Sequence, residues 1–260
     1  MNLLSDAWWN TKVGTNTFNL ASHGEKNTAI GESTLTSVTG SSWNSTAVGY
    51  QALKSATESA NTAVGSMAGL TITTGNSNTM VGLSAGSGIS TGFTNTFIGT
   101  STQTTTAGIS NSIAIGYNAT VNASNTAVIG NGSVTTVGGY GLWTNYSDRR
   151  EKENIQDSAL GLSFIQKLRP VTYNYISQPG VGREGLIAQE VEEAAQTVGV
   201  IFNGVEKPVN ETGRYSLSYP SLVMPLINAV KELKAENDAL KVENEGLKTR
   251  LVKIEKALGL

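Results

Sequence analysis

The stretch "NTAVGSMAGLTITTGNSNTMVG" at residues 61–82 decides the fold of the first half of this chain, because it contains one short motif twice. "NTAVG" begins at Asn61, and "NTMVG" begins 17 residues later at Asn78. Each copy ends a run of small and β-branched residues with a glycine, which predicts a short strand followed by a turn. Repetition at this spacing is typical of a solenoid in which each strand–turn unit stacks on the next.

The motif continues on both sides of this stretch. Seven copies begin at asparagines, the first five 17 residues apart and the last two after steps of 16 and 14: Asn27, Asn44, Asn61, Asn78, Asn95, Asn111 and Asn125. A weaker copy lies near Val13-Gly14. We predict a mostly β region, β-roll-like or β-solenoid-like, with repeats from about residue 11 to about residue 135. It resembles the stacked β-repeats of phage tail fibres and of the head regions of trimeric bacterial adhesins.

Each repeated position has an expected role. The branched residue before the glycine is predicted to line the core: Ile30, Val48, Val64, Val81, Ile98 and Ile115. The glycine suits a positive φ or a close backbone approach, and the asparagines are expected to form a side-chain ladder. A thin roll of small side chains buries little, so assembly with other chains is expected. A disordered linker is the alternative, and the strict apolar register speaks against it.

Charge divides the chain at residue 146. Residues 1–146 hold three Lys, no Arg and four acidic residues, whereas the remaining 114 residues hold 15 Lys and Arg and 16 Asp and Glu. All five prolines follow residue 146, and 20 of the 29 glycines precede it. Such different compositions indicate two architectures, the first being a fibre region over residues 1–146.

Composition also limits the classes of function. The net charge is −2 and neither half is basic, which disfavours nucleic acid as a partner. The chain has no cysteine, so disulfides do not stabilise it. No run of about 18 apolar residues is present, and the start lacks the pattern of a signal peptide, so we predict no membrane insertion.

The first half shows no catalytic constellation. Its carboxylates lie far apart in the repeat register: Asp6, Glu25, Glu32 and Glu58. The lone His23 has no evident metal-binding partners, so we predict a loop histidine and neither a metal site nor a cofactor. Two interpretations stay open for Trp8, Trp9 and Trp43, namely contact with a glycan or partner and ordinary packing.

The last segment, residues 223–260, predicts a parallel coiled coil. Apolar or Asn residues alternate three and four apart in an a/d heptad pattern: Val223, Leu226, Val230, Leu233, Asn237, Leu240, Asn244, Leu247, Leu251, Ile254 and Leu258. Residues at g and at the following e have opposite charges in three successive pairs: Glu236–Lys241, Glu243–Lys248 and Arg250–Glu255. This pattern favours parallel, in-register copies, and it leaves dimer and trimer open.

Residues 147–222 predict a small α+β domain that carries a family resemblance. "SDRREKENI", "GLSFIQKLRPVTYNY", "GLIAQEVEEA" and "YSLSYPSLVMPLINAVKELKAEN" follow one another in this order. They resemble the C-terminal intramolecular chaperone auto-processing domain of phage endosialidase tailspikes and tail fibres, a relative of which occurs in the myelin regulatory factors. Two positions depart from that family's pattern: Glu151 replaces a usual Leu, and "AAQTV" lacks a proline that often follows the preceding helix.

The resemblance implies a trimer that cuts itself before a serine. Carried onto this chain, the cleaved bond joins Tyr146 to Ser147, and Lys152 completes a Ser–Lys dyad. An Asp148 N-cap would start a helix in which Ser147 precedes the cap and Lys152 is the fourth helical residue. A neutral lysine is needed as the base, and Arg149 and Arg150 are candidates to support it by lowering its pKa. A plain helix cap with solvated charges is the alternative.

The resulting expectation is a trimeric phage tail-fibre or tailspike subunit that releases its own chaperone once and has no external substrate. Its expected partners are two further copies, phage tail or baseplate proteins and a host receptor, and its expected location is the virion, after assembly in host cytoplasm. A non-cleaving trimer, a bacterial surface adhesin and a membrane-tethered transcription factor are the alternatives.

Overall fold

The computed structural model describes residues 4–5, 8–18, 24–37, 42–140, 144–176, 178–208 and 213–258. The chain forms two compact units, with the repeat strands in the first and the helices in the second. Each unit is described below by itself.

The repeat region is a nine-stranded sheet in which the strands follow one another in chain order. Its strands are short: β1 Leu4–Ser5, β2 Thr11–Val13, β3 Thr28–Ile30, β4 Thr46–Val48, β5 Thr62–Val64, β6 Thr79–Val81, β7 Thr96–Ile98, β8 Ile113–Ile115 and β9 Ala127–Ile129. Strands β2 to β9 pair in parallel, each with its predecessor one coil earlier, and β1 pairs antiparallel with β2. The predicted β-solenoid is thus confirmed.

The predicted asparagine ladder is present. In two coils, however, the ladder residue is the one that follows the predicted asparagine. The Asn61 Oδ1 accepts from the Asn78 backbone N–H at 3.0 Å, and its Nδ2 donates to the Gly75 carbonyl at 2.9 Å. The buried members are Asn10, Asn27, Ser45, Asn61, Asn78, Asn95 and Ser112. Ser45 and Ser112 replace the predicted Asn44 and Asn111, because the spacing to the strand, and not the residue type, decides which side chain points inward.

The glycines that follow the strands stack on one another and have the predicted geometry; we call them the glycine column. Gly65 adopts φ +137°, and a Cβ there would lie 2.4 Å from the Gly82 carbonyl oxygen of the next coil. Residues with positive φ that are not glycine also recur, such as Lys26 before the ladder position and Gln51 after the glycine. Every coil therefore holds its corners in a conformation that L-residues adopt at a cost.

The predicted core residues are wrong by one position. The central residue of each strand is fully buried: Ala29, Ala47, Ala63, Met80, Phe97 and Ala114. The branched residues that follow point outward, with Ile30 38% and Val64 39% exposed. Side chains alternate between the two faces of a strand, so a shift of one residue exchanges core and surface. Small and large side chains both occupy this inward position, with alanine in four of the six strands and Met80 and Phe97 in the other two.

The second unit is a small α+β domain continued by a long helix. Its elements are a 3₁₀ turn Arg149–Glu151, α1 Leu162–Ile165, β10 Val171–Tyr173, β11 Arg183–Gly185, α2 Ala188–Thr197, β12 Val205–Glu206, β13 Ser216–Leu217, a 3₁₀ turn Tyr219–Leu222 and α3 Val223–Leu258. Two antiparallel hairpins, β10–β11 and β12–β13, accompany the helices. Phe164 and Phe202 meet at the centre of the core with ring centroids 5.3 Å apart.

Helix α3 is attached to this domain by its first turns only. The buried face of the helix consists of Pro225 and Ala229. Glu232 accepts the Leu162 backbone N–H at 2.8 Å, and Asn228 donates to the Leu160 carbonyl at 3.0 Å. The a/d residues lie on another face and are exposed, from Leu226 to Leu258. The helix that the heptad pattern predicted is present, whereas the coiled coil it would form with other copies stays a prediction.

Candidate functional site

Ser147 and Lys152 lie in direct contact. The Lys152 Nζ donates a hydrogen bond to the Ser147 Oγ at 2.6 Å. A nitrogen base within hydrogen-bonding reach of a hydroxyl is the arrangement that nucleophilic catalysis by serine needs. The side chains are five residues apart in sequence, so a local turn must bring them together.

That turn is a short 3₁₀ helix, Arg149–Glu151, with Asp148 as its N-cap. The Asp148 carboxylate accepts from the Arg150 backbone N–H at 2.9 Å, which gives the predicted cap. Lys152 is the C-cap with extended φ and ψ, and not the predicted fourth helical residue. The helix ends at Lys152, whose φ and ψ are extended, and Asn154 two residues later has a positive φ. Ser147 and Lys152 therefore meet across a single tight turn.

Asp148 and Arg150 form an ion pair beside the contact. The guanidinium donates to both carboxylate oxygens, with the Nη2–Oδ2 distance 2.6 Å. Hydrogen bonds from the Arg150 side chain and backbone lower the pKa of Asp148, and the carboxylate raises the pKa of Arg150. The Arg150 charge is thus largely offset by Asp148. Support of the lysine by Arg149 or Arg150 stays a prediction.

The whole site is exposed to solvent. Tyr146, which would supply the attacked carbonyl, is 99% exposed, and Ser147 and Lys152 are exposed with it. Water therefore has access to the serine, the lysine and the peptide bond between Tyr146 and Ser147. The contact between the two side chains forms within one chain, but nothing in the described part of that chain encloses it.

The second unit also has an apolar groove, which sequence reasoning missed. It has a volume of about 390 Å³ and is lined by Ile165, Leu168, Pro170, Gly185, Leu186, Tyr219, Leu222 and Leu226 among others. The Leu186 N–H donates to the Tyr219 hydroxyl at 2.8 Å, which joins β11 to the turn before α3. Its lining comes from three separate segments of the chain, so no local motif could reveal it.

The other candidate residues are not assembled into a site. Trp8, Trp9 and Trp43 are all exposed, with Trp9 68% exposed. Asp6 and His23 lie outside the described residues. Across the described ranges, no three His, Cys, Asp or Glu side chains are close enough together to hold a metal ion. No helix in the described part of the chain is both long and apolar enough to cross a membrane.

The fold and the serine–lysine contact together define a class. A β-solenoid built from one chain and followed by a small domain with a long helix is consistent with a phage tail-fibre-like protein. Residues 147–200 match the model of a peptidase family described as "Chaperone of endosialidase". The match begins at Ser147, the first residue of the motif SDRREKENI. Searches of curated proteins and of solved structures found no match.

Proposed function

We propose that this chain is a phage tail-fibre or tailspike subunit whose C-terminal region assembles three copies and then cuts itself off between Tyr146 and Ser147. The observation that carries the proposal is the 2.6 Å hydrogen bond between Lys152 Nζ and Ser147 Oγ, at the first residue of the family match. A surface cap has no need of that contact, whereas a serine nucleophile does.

The proposed reaction uses atoms that are already adjacent. A neutral Lys152 takes the hydroxyl proton of Ser147, and the oxygen attacks the Tyr146 carbonyl carbon. The Tyr146–Ser147 C–N bond then breaks, the Ser147 nitrogen takes a proton, and an ester joins the Tyr146 carbonyl to the Ser147 oxygen. Water hydrolyses the ester and restores the serine hydroxyl. The result is one cut per chain without turnover on external substrates.

Exposure supplies a reason for linking the cut to assembly. An amine acts as a base only in its neutral form, and burial favours that form. Lys152 is exposed in the single chain, and the tetrahedral intermediate also needs hydrogen-bond donors for its oxyanion. We propose that neighbouring copies cover the site, so that cleavage follows correct assembly.

Helix α3 supports the assembly of several copies. From Val230 to Leu258 its a/d residues are exposed, and its length of 36 residues allows about five heptads. In the single chain Lys248 contacts Glu245 at 2.7 Å, an exposed ion pair of little energetic weight. Lys248 can exchange that partner for Glu243 of another copy. We propose a parallel trimer.

The two regions then have separate tasks. Residues 147–260 act as a removable chaperone, and residues 1–146 remain as the fibre that attaches to the host after assembly in the host cytoplasm and incorporation into the virion. Because a repeat fibre has many possible mis-registers, holding three copies side by side speeds correct pairing. Its receptor and its tail or baseplate partners belong to the same proposal.

The intact mass of the purified chain, compared with Ser147→Ala, tests the proposal. We expect two fragments that meet at Tyr146 and Ser147 for the wild-type chain and a single uncut chain for the variant. The native mass of Ser147→Ala should be that of three chains. An uncut wild-type chain after prolonged incubation would contradict the cleavage.

A permanent, non-cleaving trimeric structural or adhesin protein is the second candidate. The exposure of Ser147 and Lys152 favours it, because a site open to water does not favour the neutral lysine that activation of the serine needs. Under this alternative both chains stay whole and both have the native mass of a trimer. The same measurement therefore separates the two candidates.

A further inference from the structure

The solenoid places three large aromatic residues at the same exposed corner of its coils. From β2 to β7, one residue of each coil lies three positions before the strand, and these residues stack on one another: Trp8, Glu25, Trp43, Ser59, Asn76 and Phe93. We call this set the corner column, and its aromatic members Trp8, Trp43 and Phe93 the aromatic corner. The aromatic corner includes two of the tryptophans whose role the sequence left open.

The backbone holds the corner column in register. The carbonyl of each column residue accepts a hydrogen bond from the next coil, as the Trp8 carbonyl does from the Lys26 N–H at 3.0 Å. The Trp43 carbonyl accepts in the same way from the Ala60 N–H at 2.8 Å. The residue after each column position has a positive φ, so the chain turns sharply there: Trp9, Lys26, Asn44, Ala60, Ser77 and Thr94. The stacked backbone therefore fixes where along the solenoid each ring lies.

Packing of the core does not account for these rings. Phe97 is fully buried in the interior, whereas Phe93 of the same coil is 51% exposed. Trp43 is 51% exposed and Trp8 is 41% exposed, although aromatic side chains are among those that gain most from burial. Aromatic residues are enriched at binding surfaces, so exposed rings at a repeated position indicate contact with a ligand.

The spacing of the rings favours a chain of sugars over a protein surface. Adjacent strands lie about 4.8 Å apart, so along the solenoid Trp43 lies about 10 Å from Trp8 and about 14 Å from Phe93. Polar residues occupy the positions between the rings: Glu25, Ser59 and Asn76. The core of a protein interface is a continuous apolar area, and these polar residues interrupt it.

A polysaccharide has the matching alternation. The faces of a sugar ring carry C–H groups that pack on the electron-rich face of an aromatic ring, and its edge carries hydroxyls that bond to polar side chains. Successive sugars repeat this character along a line, as the corner column does. We propose that the aromatic corner binds an uncharged polysaccharide that lies along the solenoid. This inference rests on the proposed attachment of residues 1–146 to the host and adds the residues and the ligand class.

Charge selects an uncharged polysaccharide over an acidic one. Among the described residues in the corner column or next to it in sequence, the charged ones are Glu25, Lys26 and Glu58. Two carboxylates thus outweigh one ammonium group. An acidic sugar would be repelled, because recognition of anionic groups needs clustered Lys or Arg.

Binding of the purified wild-type chain to an array of bacterial surface oligosaccharides, uncharged and acidic, tests the inference. We expect binding to uncharged members, and Trp43→Ala should weaken it by about tenfold or more, as truncation of an aromatic anchor does. Trp43→Phe keeps a ring and should retain most of the binding. The matched control is Tyr117→Ala, which removes a ring that is 69% exposed at the opposite corner, after β8. The control should bind as the wild-type chain does.

A second position protects the test against a folding defect. Phe93→Ala lies three coils further along the same corner, and thermal melting and native mass check each variant. Binding to acidic members alone, or equal weakening by Tyr117→Ala, overturns the inference. Undiminished binding by both Trp43→Ala and Phe93→Ala also overturns it and leaves the proposed host attachment intact.

Two further outcomes separate this inference from the proposed function. The absence of binding to any uncharged member overturns the inference and is compatible with attachment through a protein receptor. A native mass that falls from trimer to monomer in Trp43→Ala or Phe93→Ala assigns the aromatic corner to contact between copies, which also overturns it. An uncut wild-type chain contradicts the proposed cleavage and does not affect this measurement.

Discussion

The repeat region and helix α3 satisfy their backbones and side chains in different ways. In the repeat region each strand pairs with the next coil of the same chain, and Asn61 bonds the coil above it through Asn78. In α3 the backbone is satisfied within the helix, yet only Pro225 and Ala229 of its 36 residues are buried. One region is internally complete in its core, and the other exposes nearly all of its side chains.

This difference teaches where a second chain is needed. A solenoid coil gains its buried surface from its neighbours in sequence, so its core does not depend on concentration. An isolated helix of this length with an exposed a/d stripe gains little until it meets another. We therefore expect changes in the repeat region to act on stability within one chain, and changes in the C-terminal region to act on assembly and chemistry.

The largest expected effect is chemical and confined to the C-terminal region. Lys152→Met removes the proposed base, and a general base contributes about 10²–10⁴-fold to a rate. We expect self-cleavage to slow by that factor, as followed by intact mass over time. Thermal unfolding of the repeat region should be unchanged. A loss of cleavage accompanied by unfolding of the repeats would break the separation between the two regions.

The next effect concerns the glycine column. Gly65→Ala puts a Cβ 2.4 Å from the Gly82 carbonyl at a φ of +137°, so strain and overlap should cost about 4 kcal/mol in the free energy of unfolding. Gly139→Ala is the matched control, because a Cβ there meets nothing within 4 Å. Denaturant unfolding measures both. Equal stability of the two variants would show that neighbouring coils move apart enough to accommodate the added Cβ.

The ladder is expected to matter somewhat less. Asn61→Ala leaves the buried Asn78 N–H and Gly75 carbonyl without their side-chain partner, a loss of about 2–3 kcal/mol. Asn76→Ala in the same coil removes an exposed side chain and should change the unfolding free energy by a few tenths of a kcal/mol. If both substitutions lower the free energy of unfolding equally, water replaces the lost side-chain hydrogen bonds. The interior of the coils is then more hydrated than its burial indicates.

A smaller effect tests where along α3 the helix stops contacting the small α+β domain. Glu232→Ala removes the acceptor for the Leu162 N–H and should cost about 1 kcal/mol, with faster amide hydrogen exchange at Leu162. Glu245→Ala, further along the same helix, removes only an exposed ion pair with Lys248 and should leave that exchange rate unchanged. Identical exchange at Leu162 in both variants would mean that α3 is not anchored through Glu232.

The smallest effect is a titration. The pKa of Asp148 is lowered by Arg150, so the ion pair is present at neutral pH and is lost as the pH falls through that lowered value. In Ser147→Ala, Arg150→Gln should bring the Asp148 pKa back toward its ordinary value, as measured by carboxyl NMR. An unchanged pKa would show that the backbone cap alone, without the guanidinium, holds the carboxylate.

The period of the repeat was predictable from the sequence, and the inward face was not. The spacing of the motifs identifies the strands, since few other folds keep a 17-residue register. In "TAV" both the alanine and the valine are apolar, so hydrophobicity alone favours the larger one for the core. The orientation of the strand decides otherwise, because it turns the central residue inward and the residue after it outward, and that orientation is a property of the folded backbone. The ladder shifts to Ser45 for the same reason, since Asn44 falls at a corner.

The site was predicted in its residues and not in its turn. Ser147 and Lys152 were placed by resemblance, and the capping role of Asp148 by its side-chain chemistry. The capping-box spacing predicted a helix that includes Lys152, whereas the helix is a single 3₁₀ turn that ends before it. The apolar groove beside Tyr219 and Leu226 was not predictable because three segments distant in sequence build it.

The recurring positive φ angles have a consequence for how the fibre forms. In the described repeats 18 residues other than glycine adopt them, and each such residue costs about 1–2 kcal/mol when nothing holds it. A single coil, with its corners strained and one side bare, is therefore unstable. It becomes stable only when laid on a finished coil that supplies the ladder bonds. Formation of the fibre is then a nucleated process, like crystal growth. The first coil forms slowly, and later coils add rapidly to its exposed edge. An agent that supplies the first ordered coil therefore controls the rate.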